Sequence, residues 1–136
     1  MTTLNKSIYL RASKEQVWAY LTDPEKLAIW FHKPPTALVE GEDYAMYGTT
    51  SGDKLMWGKV TKARPHDRLE YSFTIAPMEG ATSTVKWQLD EVAGGTRLSL
   101  EHSGLPEGAE AFGLTLALDK GWDDHMGRMR ASLHGD

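Results

Sequence analysis

The 136-residue sequence predicts an α+β fold, in which a curved antiparallel sheet of about six to seven strands packs on one long C-terminal helix. Segments with alternating apolar residues follow one another through short turns between residues 43 and 103, as in an antiparallel sheet. Each segment keeps one polar face, so one face of the sheet is covered. Residues 114–133 carry an apolar stripe with helical spacing, and we expect this helix to be the cover.

The first thirty residues predict one strand followed by two short helices. Residues 4–10 alternate apolar and polar side chains and predict the strand. The SKEQ motif that begins at Ser13 has the capping-box pattern, so a helix is expected to start there. Asp23 followed by Pro24 predicts a second helix start, because aspartate caps well and proline suits the first helical position. We expect this second helix to end near Trp30.

The middle of the chain predicts a meander of short strands. The clearest strand alternates Leu69, Tyr71 and Phe73 with polar residues. Gly94-Gly95 is a tight-turn signal and predicts a hairpin between the last two strands. The short segment 36–40 decides between six and seven strands. The strands predicted after the first are residues 36–40, 43–49, 54–62, 68–75, 82–92 and 96–103.

The last predicted helix, LTLALDKGWDDHMGRMRASL, covers residues 114–133. Its apolar residues are three or four positions apart and form one continuous stripe, which is typical of a helix that covers a sheet. Gly135 is expected to end the helix. The stripe consists of Leu118, Trp122, Met126, Met129 and Leu133.

Composition excludes several classes of protein. The length suits one domain over residues 1–136. A net charge of −4 does not favour a nucleic-acid partner, and the absence of cysteine excludes disulfides, thiol nucleophiles and cysteine zinc sites. No apolar run has the length of a signal peptide or a membrane span, so a cytoplasmic location is expected. No nucleotide, dinucleotide, zinc-protease or serine-hydrolase motif is present, and no cofactor is expected.

Three stretches resemble one branch of the SRPBCC (START / Bet v 1-like) superfamily, which contains homologues of the heat-shock-protein-90 ATPase activator. They are residues 17–31 (VWAYLTDPEKLAIWF), residues 95–105 (GTRLSLEHSGL) and the last helix, where Gly121-Trp122 precedes spaced Met and Leu residues. The resemblance covers both ends of the chain and the last hairpin. It implies a helix-grip fold, in which a curved antiparallel sheet grips the last helix, often around an apolar cavity.

The resemblance also implies a range of functions. The superfamily includes carriers of lipids and other hydrophobic ligands, cyclases and a eukaryotic co-chaperone domain. We expect a small hydrophobic or amphipathic ligand between the last helix and the sheet, and binding in preference to catalysis. The alternatives are a cyclase-like or hydrolase-like enzyme using His102, and a stress or chaperone accessory protein acting through its surface. Direct ATPase activation is not expected, because the sequence lacks the co-chaperone's second domain. A homodimer is compatible with each of these functions.

Large aromatic and methionine side chains are the candidate ligand-binding residues. Methionine and tryptophan suit an adaptable apolar cavity that has a few polar anchors. The alternative is that the same residues only fill the space between one helix and one sheet. The candidates are Trp30, Phe31, Tyr44, Met46, Trp57, Tyr71, Phe73, Trp87, His102, Trp122, Met126 and Met129.

His102 is the polar member of this set. It continues the apolar face of Leu98 and Leu100, where an ionisable group must find a partner or shift its pKa. It is therefore a satisfied core histidine, a ligand anchor, or a general acid or base with Tyr44 or Tyr71 as hydroxyl partner. His125 lies one position off the helical stripe and can reach the sheet. A metal bound by both histidines lacks a third ligand at helical or hairpin spacing, so no metal site and no catalytic residue are predicted.

Overall fold

A computed structural model of the protein describes residues 2–135, and every statement below concerns these residues. The order of elements is a strand, two short helices, five strands and a long helix, with two short 3-10 helices near the ends of loops. The elements are β1 Thr2–Leu10, α1 Lys14–Thr22, α2 Pro24–Trp30, β2 Asp43–Tyr47, β3 Lys54–Arg64, β4 Arg68–Phe73, β5 Ser83–Val92, β6 Gly95–Leu105 and α3 Phe112–His134, with the 3-10 helices at Ala76–Met78 and Ala109–Ala111.

The strands form one six-stranded antiparallel sheet in the order β1-β6-β5-β4-β3-β2. Strands β2 to β6 pair with their sequence neighbours, and β1 pairs with β6, with Ile8 opposite Leu98. The predicted strand at residues 36–40 is wrong. The backbone N–H of Leu38 donates to the carbonyl of Thr22 at 3.1 Å, which ties this segment to the end of α1 and not to a strand. The sheet therefore has six strands and not seven.

The predicted Gly94-Gly95 hairpin joins β5 to β6. Gly94 has a φ of +88°, a left-handed conformation that favours glycine. A Cβ atom added at Gly95 would lie 2.1 Å from the carbonyl oxygen of Leu10. The second glycine is therefore required because the end of β1 approaches the backbone closely.

Side-chain caps define α1 and α2, as the sequence predicts. The Ser13 hydroxyl accepts from the Gln16 N–H at 3.1 Å, and the Gln16 side chain accepts from the Ser13 N–H at 2.8 Å. Asp23 caps α2 in the same way by accepting from the Glu25 N–H at 3.0 Å. The Trp30 indole at the end of α2 donates to the Tyr20 carbonyl at 2.7 Å. This bond fixes where α2 ends, and so where the next two residues lie.

The stripe on α3 packs on the sheet. Trp122, Met126 and Met129 are buried, while Leu118 and Leu133 are partly buried against the same core. This arrangement confirms the α+β prediction. None of the helices among the described residues is both long and apolar enough to cross a bilayer.

Candidate functional site

A cavity of about 190 Å³ lies between the middle of α3 and the sheet. Its volume exceeds the roughly 150 Å³ of an apolar cavity that holds benzene, and is below the range of about 300–1,000 Å³ that is usual for drug-sized ligands. Larger depressions, of about 520, 600 and 700 Å³, lie elsewhere on the surface. Those of about 520 and 700 Å³ have more polar walls, whereas that of about 600 Å³ has more apolar walls and includes the predicted site residues Tyr44 and Trp57. The cavity is lined by Phe31, His32, Met56, Phe73, Ile75, Ala117, Leu118, Gly121, Trp122 and His125.

Two small residues on α3 create this space. Ala117 and Gly121 are one helical turn apart, and a Cβ atom added at Gly121 would meet no atom within 4 Å. Met56, Phe73 and Ile75 form the opposite wall, from β3, the end of β4 and the residues just after it. The cavity lies where α3 carries these two small residues, between the larger side chains of Leu118, Trp122 and His125.

Phe31 forms an aromatic wall between the end of α2 and α3. Its ring stacks on Trp122 with centroids 5.3 Å apart and on His32 at 4.4 Å. It meets His125 edge to face at 4.8 Å. The residues that follow α2 are therefore held against the helix by ring contacts, and they bring two imidazoles to the cavity.

His32 and His125 are close neighbours on the cavity wall, with ring centroids 5.2 Å apart. Nδ1 of His125 lies 2.9 Å from the Trp30 carbonyl and also contacts the Arg128 guanidinium. A hydrogen on Nδ1 donates to the carbonyl, whereas a hydrogen on Nε2 leaves Nδ1 free to accept from Arg128. Burial, followed by repulsion from His125 and Arg128, lowers the pKa of His32 to about 4. Burial also lowers the pKa of His125, against the opposing hydrogen bond with the Trp30 carbonyl, and Arg128 lowers it further.

His102 is fully buried and its hydrogen bonds are all internal. The Trp122 indole donates to Nδ1 at 3.0 Å, so the ring hydrogen is on Nε2, which donates to the Ser83 hydroxyl at 2.7 Å. That hydroxyl in turn donates to the Phe73 carbonyl at 3.1 Å. Burial lowers the pKa of His102 to about 4. The ring does not line the cavity, and its contacts are those of a satisfied core histidine that orients Trp122.

The structure places the predicted site residues in three groups. Phe31, Phe73 and Trp122 line the cavity. Trp57 lies on the other side of β3, because its neighbour Met56 points inward, and the Lys54 ammonium lies 4.8 Å from its ring centroid. The others are buried core residues that do not line the cavity, namely Trp30, Tyr44, Met46, Tyr71, Trp87, His102, Met126 and Met129.

The two tyrosines considered as partners of His102 are bonded elsewhere. The Tyr44 hydroxyl donates to the Ser72 carbonyl at 2.6 Å, and the Tyr71 hydroxyl accepts from the Trp87 indole at 3.0 Å. Burial raises the pKa of both phenols, so both stay protonated. Neither arrangement resembles an acid–base pair with the histidine.

Seven cavity residues were outside the predicted set: His32, Met56, Ile75, Ala117, Leu118, Gly121 and His125. For Met56 and Leu118 the signal was present, since both occupy predicted apolar faces. His32 follows the last turn of α2 and belongs to no helix or strand, so no helical or strand periodicity predicts which way it faces. Only the packing of α2 against α3 brings it to the cavity.

No metal centre is formed by the described residues, which contain no group of three or more His, Asp or Glu side chains close enough to hold an ion. The indole of Trp122 contacts both histidines of the pair considered from the sequence. Its centroid is 5.9 Å from His102 and 6.4 Å from His125.

A curved six-stranded antiparallel sheet that holds a long C-terminal helix, with short helices after the first strand, defines the helix-grip class of the SRPBCC superfamily. Residues 11–134 match the family described as "Activator of Hsp90 ATPase homolog 1-like protein", and the chain belongs to this family. The match confirms the resemblance seen in the sequence. A comparison with curated proteins gave no significant match.

Solved structures of the same fold include DynU16, a protein in the dynemicin biosynthetic locus, at 27% identity and a TM-score of 0.82. That match covers 97% of this chain and 47% of DynU16, so this chain spans about half the length of that relative. CalU16 from Micromonospora echinospora has 27% identity and a TM-score of 0.81, over 98% of this chain and 75% of its own. The Aha1 dimer from Colwellia psychrerythraea has 21% identity and a TM-score of 0.81, over 98% and 96% respectively, and shows the fold alone.

Proposed function

We propose that this protein binds a small hydrophobic or amphipathic molecule in the cavity between α3 and the sheet. The observation that carries the proposal is the space beside Gly121, which is lined by apolar side chains apart from two histidines and the Trp122 indole. The relatives support a small-molecule role, since DynU16 is a protein in a biosynthetic locus. The ligand-binding residues in this proposal are those that line the cavity.

The cavity size limits both the ligand and its affinity. About 190 Å³ accommodates one aromatic ring with a short substituent, or a short alkyl chain. Burying about 150 Å² of apolar ligand surface at roughly 25 cal/mol per Å² contributes about 4 kcal/mol. Apolar burial alone therefore gives a Kd no tighter than about 1 mM, because association also costs translational and rotational freedom, and tighter binding requires polar anchors. The two histidines are the groups placed to supply them.

Filling the cavity from α3 tests the proposal. Gly121→Leu puts a side chain into the space, whereas Gly127→Leu adds the same side chain on the same helix beside a different, shallow depression next to β1. Leucine favours the helix over glycine by about 1 kcal/mol, so both variants should fold. Toluene and indole should bind the native protein and Gly127→Leu in calorimetric titrations, and should not bind Gly121→Leu. Equal binding by all three proteins, or none by the native protein, would refute the proposal.

The two alternative functions have weaker support. An enzyme that uses His102 needs a ring nitrogen at the cavity, but both nitrogens are engaged in the core. The His102→Ala variant would lose turnover and keep ligand binding if that alternative held. A chaperone accessory role draws on the family description alone, and its test is a change in ATPase rate of a heat-shock-protein-90 homologue when this protein is added.

Three further points belong to the proposal. We place the protein in the cytoplasm and treat residues 1–136 as one domain. The related structure described as an Aha1 dimer motivates a homodimer, although that likeness extends to the fold alone. Light scattering during size-exclusion chromatography would decide between a monomer and a dimer.

A further inference from the structure

The polar groups that line the cavity have a consistent charge preference. Two of the ten lining residues, His32 and His125, are ionisable, and none is a carboxylate. A neutral imidazole donates one hydrogen bond, and a protonated one donates two. His125 also bonds with the Trp30 carbonyl and His32 with the Phe31 backbone, so each ring has a further donor for the cavity once it is protonated.

The surrounding charges reinforce this preference. On α3, Arg128 contacts His125, and no described carboxylate lies within 4 Å of the Arg128 nitrogens. Asp124 is the nearest carboxylate along the helix, but it is exposed and paired with Lys120 at 2.8 Å.

The other elements around the two imidazoles add no free negative charge. Near the α2 end, Glu25 is paired with Lys33 at 3.1 Å. The strand residues that face the cavity, Met56 and Phe73, carry no charge. The imidazoles thus lie next to Arg128, which no described carboxylate contacts within 4 Å and whose charge Asp124 offsets only from a longer distance.

We propose that the natural ligand is a small amphipathic carboxylic acid, whose carboxylate accepts hydrogen bonds from His32 and His125 on the cavity side of the two rings and whose apolar part packs on Phe73, Ile75 and Trp122. This inference rests on the proposed function, because it names the class of ligand for the same cavity. Hydrogen bonds to an ionised acceptor are about twice as strong as neutral ones, so the acid group supplies affinity that the cavity walls lack.

Proton uptake gives this inference a signature. In the free protein, burial and the positive neighbours disfavour a charge on either imidazole, and they outweigh the hydrogen bonds of His125 with the Trp30 carbonyl and of His32 with the Phe31 backbone, and the attraction of Asp124 for His125. A carboxylate beside the two rings reverses that balance, because an adjacent opposite charge favours the charged form. Binding therefore takes up protons, and affinity for the acid should rise as the pH falls while the ligand remains ionised.

The experiment compares phenylacetate with 2-phenylacetamide, which has the same shape and no charge. Calorimetric titrations at pH 7.5 and pH 6.0 give both affinities. Phenylacetate should bind about tenfold more tightly than the amide at pH 6.0. Its affinity should rise roughly fivefold between pH 7.5 and pH 6.0, within the limit of tenfold per pH unit per proton, while that of the amide stays constant.

Matched variants identify the groups responsible. His32→Gln, His125→Gln and Arg128→Gln should each reduce the ratio of the acid affinity to the amide affinity, measured on the same variant. Arg130→Gln is the control, because Arg130 is an exposed arginine on the same helix that does not line the cavity. Amide binding by each variant also shows that the cavity is intact.

Two outcomes would overturn the inference, and they differ in what else they refute. If the acid and the amide bind equally at both pH values, the ligand class is wrong and the proposed function stands. If phenylacetate, its amide and toluene all fail to bind, the proposed function falls together with the inference.

Discussion

Acid should destabilise this protein, and the contribution of His102 can be isolated. Its folded-state pKa is about 4 because the ring is buried, whereas the ordinary value is 6.5. Between these values the unfolded chain binds more protons than the folded one, so stability increases with pH in this window. The contribution is fully present above pH 6.5 and is lost as the pH falls towards 4.

The expected size follows from these two pKa values. The titration of His102 alone should make the free energy of unfolding about 2 kcal/mol lower at pH 5 than at pH 7.5. His32 and His125 act in the same direction, so the total pH dependence cannot be assigned to one residue. The difference between the native protein and His102→Gln removes their contributions.

Urea unfolding at pH 7.5, 6.0 and 5.0, followed by far-ultraviolet circular dichroism, measures this difference. At pH 7.5 the His102→Gln variant should be less stable by about 1–3 kcal/mol, because its amide cannot satisfy both Ser83 and Trp122 in the geometry of the ring. That deficit should shrink by about 2 kcal/mol at pH 5.0.

The control is Trp122→Phe, which disturbs the same network but keeps a buried titratable ring. Its deficit should remain nearly constant over the same pH range. If the deficit of His102→Gln is also independent of pH, then His102 is not held neutral by burial and the reasoning is refuted.

Three substitutions test the packing of the fold, and the first of them is also the control used for His102. Trp122→Phe leaves the histidine Nδ1 without a donor and should cost about 1–3 kcal/mol of unfolding free energy in urea titrations. Lys6→Met should lower the free energy of unfolding by about 1 kcal/mol, because the Lys6 ammonium lies 2.6 Å from the Asp119 carboxylate and 3.0 Å from the Asp123 carboxylate. The loss should be smaller in high salt. Lys120→Met, at an exposed lysine on α3, is the control, and an equal loss in both variants would contradict this prediction. Gly95→Ala should lower the Tm and reduce the free energy of unfolding by about 1–3 kcal/mol, because its Cβ would overlap the Leu10 carbonyl. An unchanged Tm would contradict this and show that β1 can move aside.

Much of the fold could be predicted because local chemistry encodes it. Ser13 and Asp23 cap their helices through contacts within three residues, so the motif and the structure agree. The stripe on α3 and the alternation in β4 reflect burial on one side of a periodic element. Residues 36–40 do not form the predicted strand, because the Leu38 N–H is hydrogen-bonded to the carbonyl of Thr22 at the end of α1. No local sequence pattern predicts this contact.

The candidate site was predicted only in part, because a pattern of apolar residues does not distinguish a wall from a core. Phe73 and Tyr71 lie on the same face of β4 and are both buried, yet only Phe73 reaches the cavity. Met56 and Trp57 are adjacent large apolar residues on opposite faces of β3, so the sequence does not decide which of them faces the helix, and the structure buries Met56. Whether an apolar residue of the sheet lines the cavity depends on whether it lies opposite Ala117 and Gly121 of α3. This depends on how the helix and the sheet pack together.

The sequence by itself determined the α+β class, the caps, the hairpin at Gly94-Gly95 and the inward stripe of α3, because each depends on neighbours along the chain. It also placed His102 on a buried face. Only the tertiary structure decided that His102 is satisfied by Trp122 and Ser83, and that His32 and His125 meet beside an apolar cavity. These contacts join positions nineteen or more residues apart, through helix and strand packing that has no local signature.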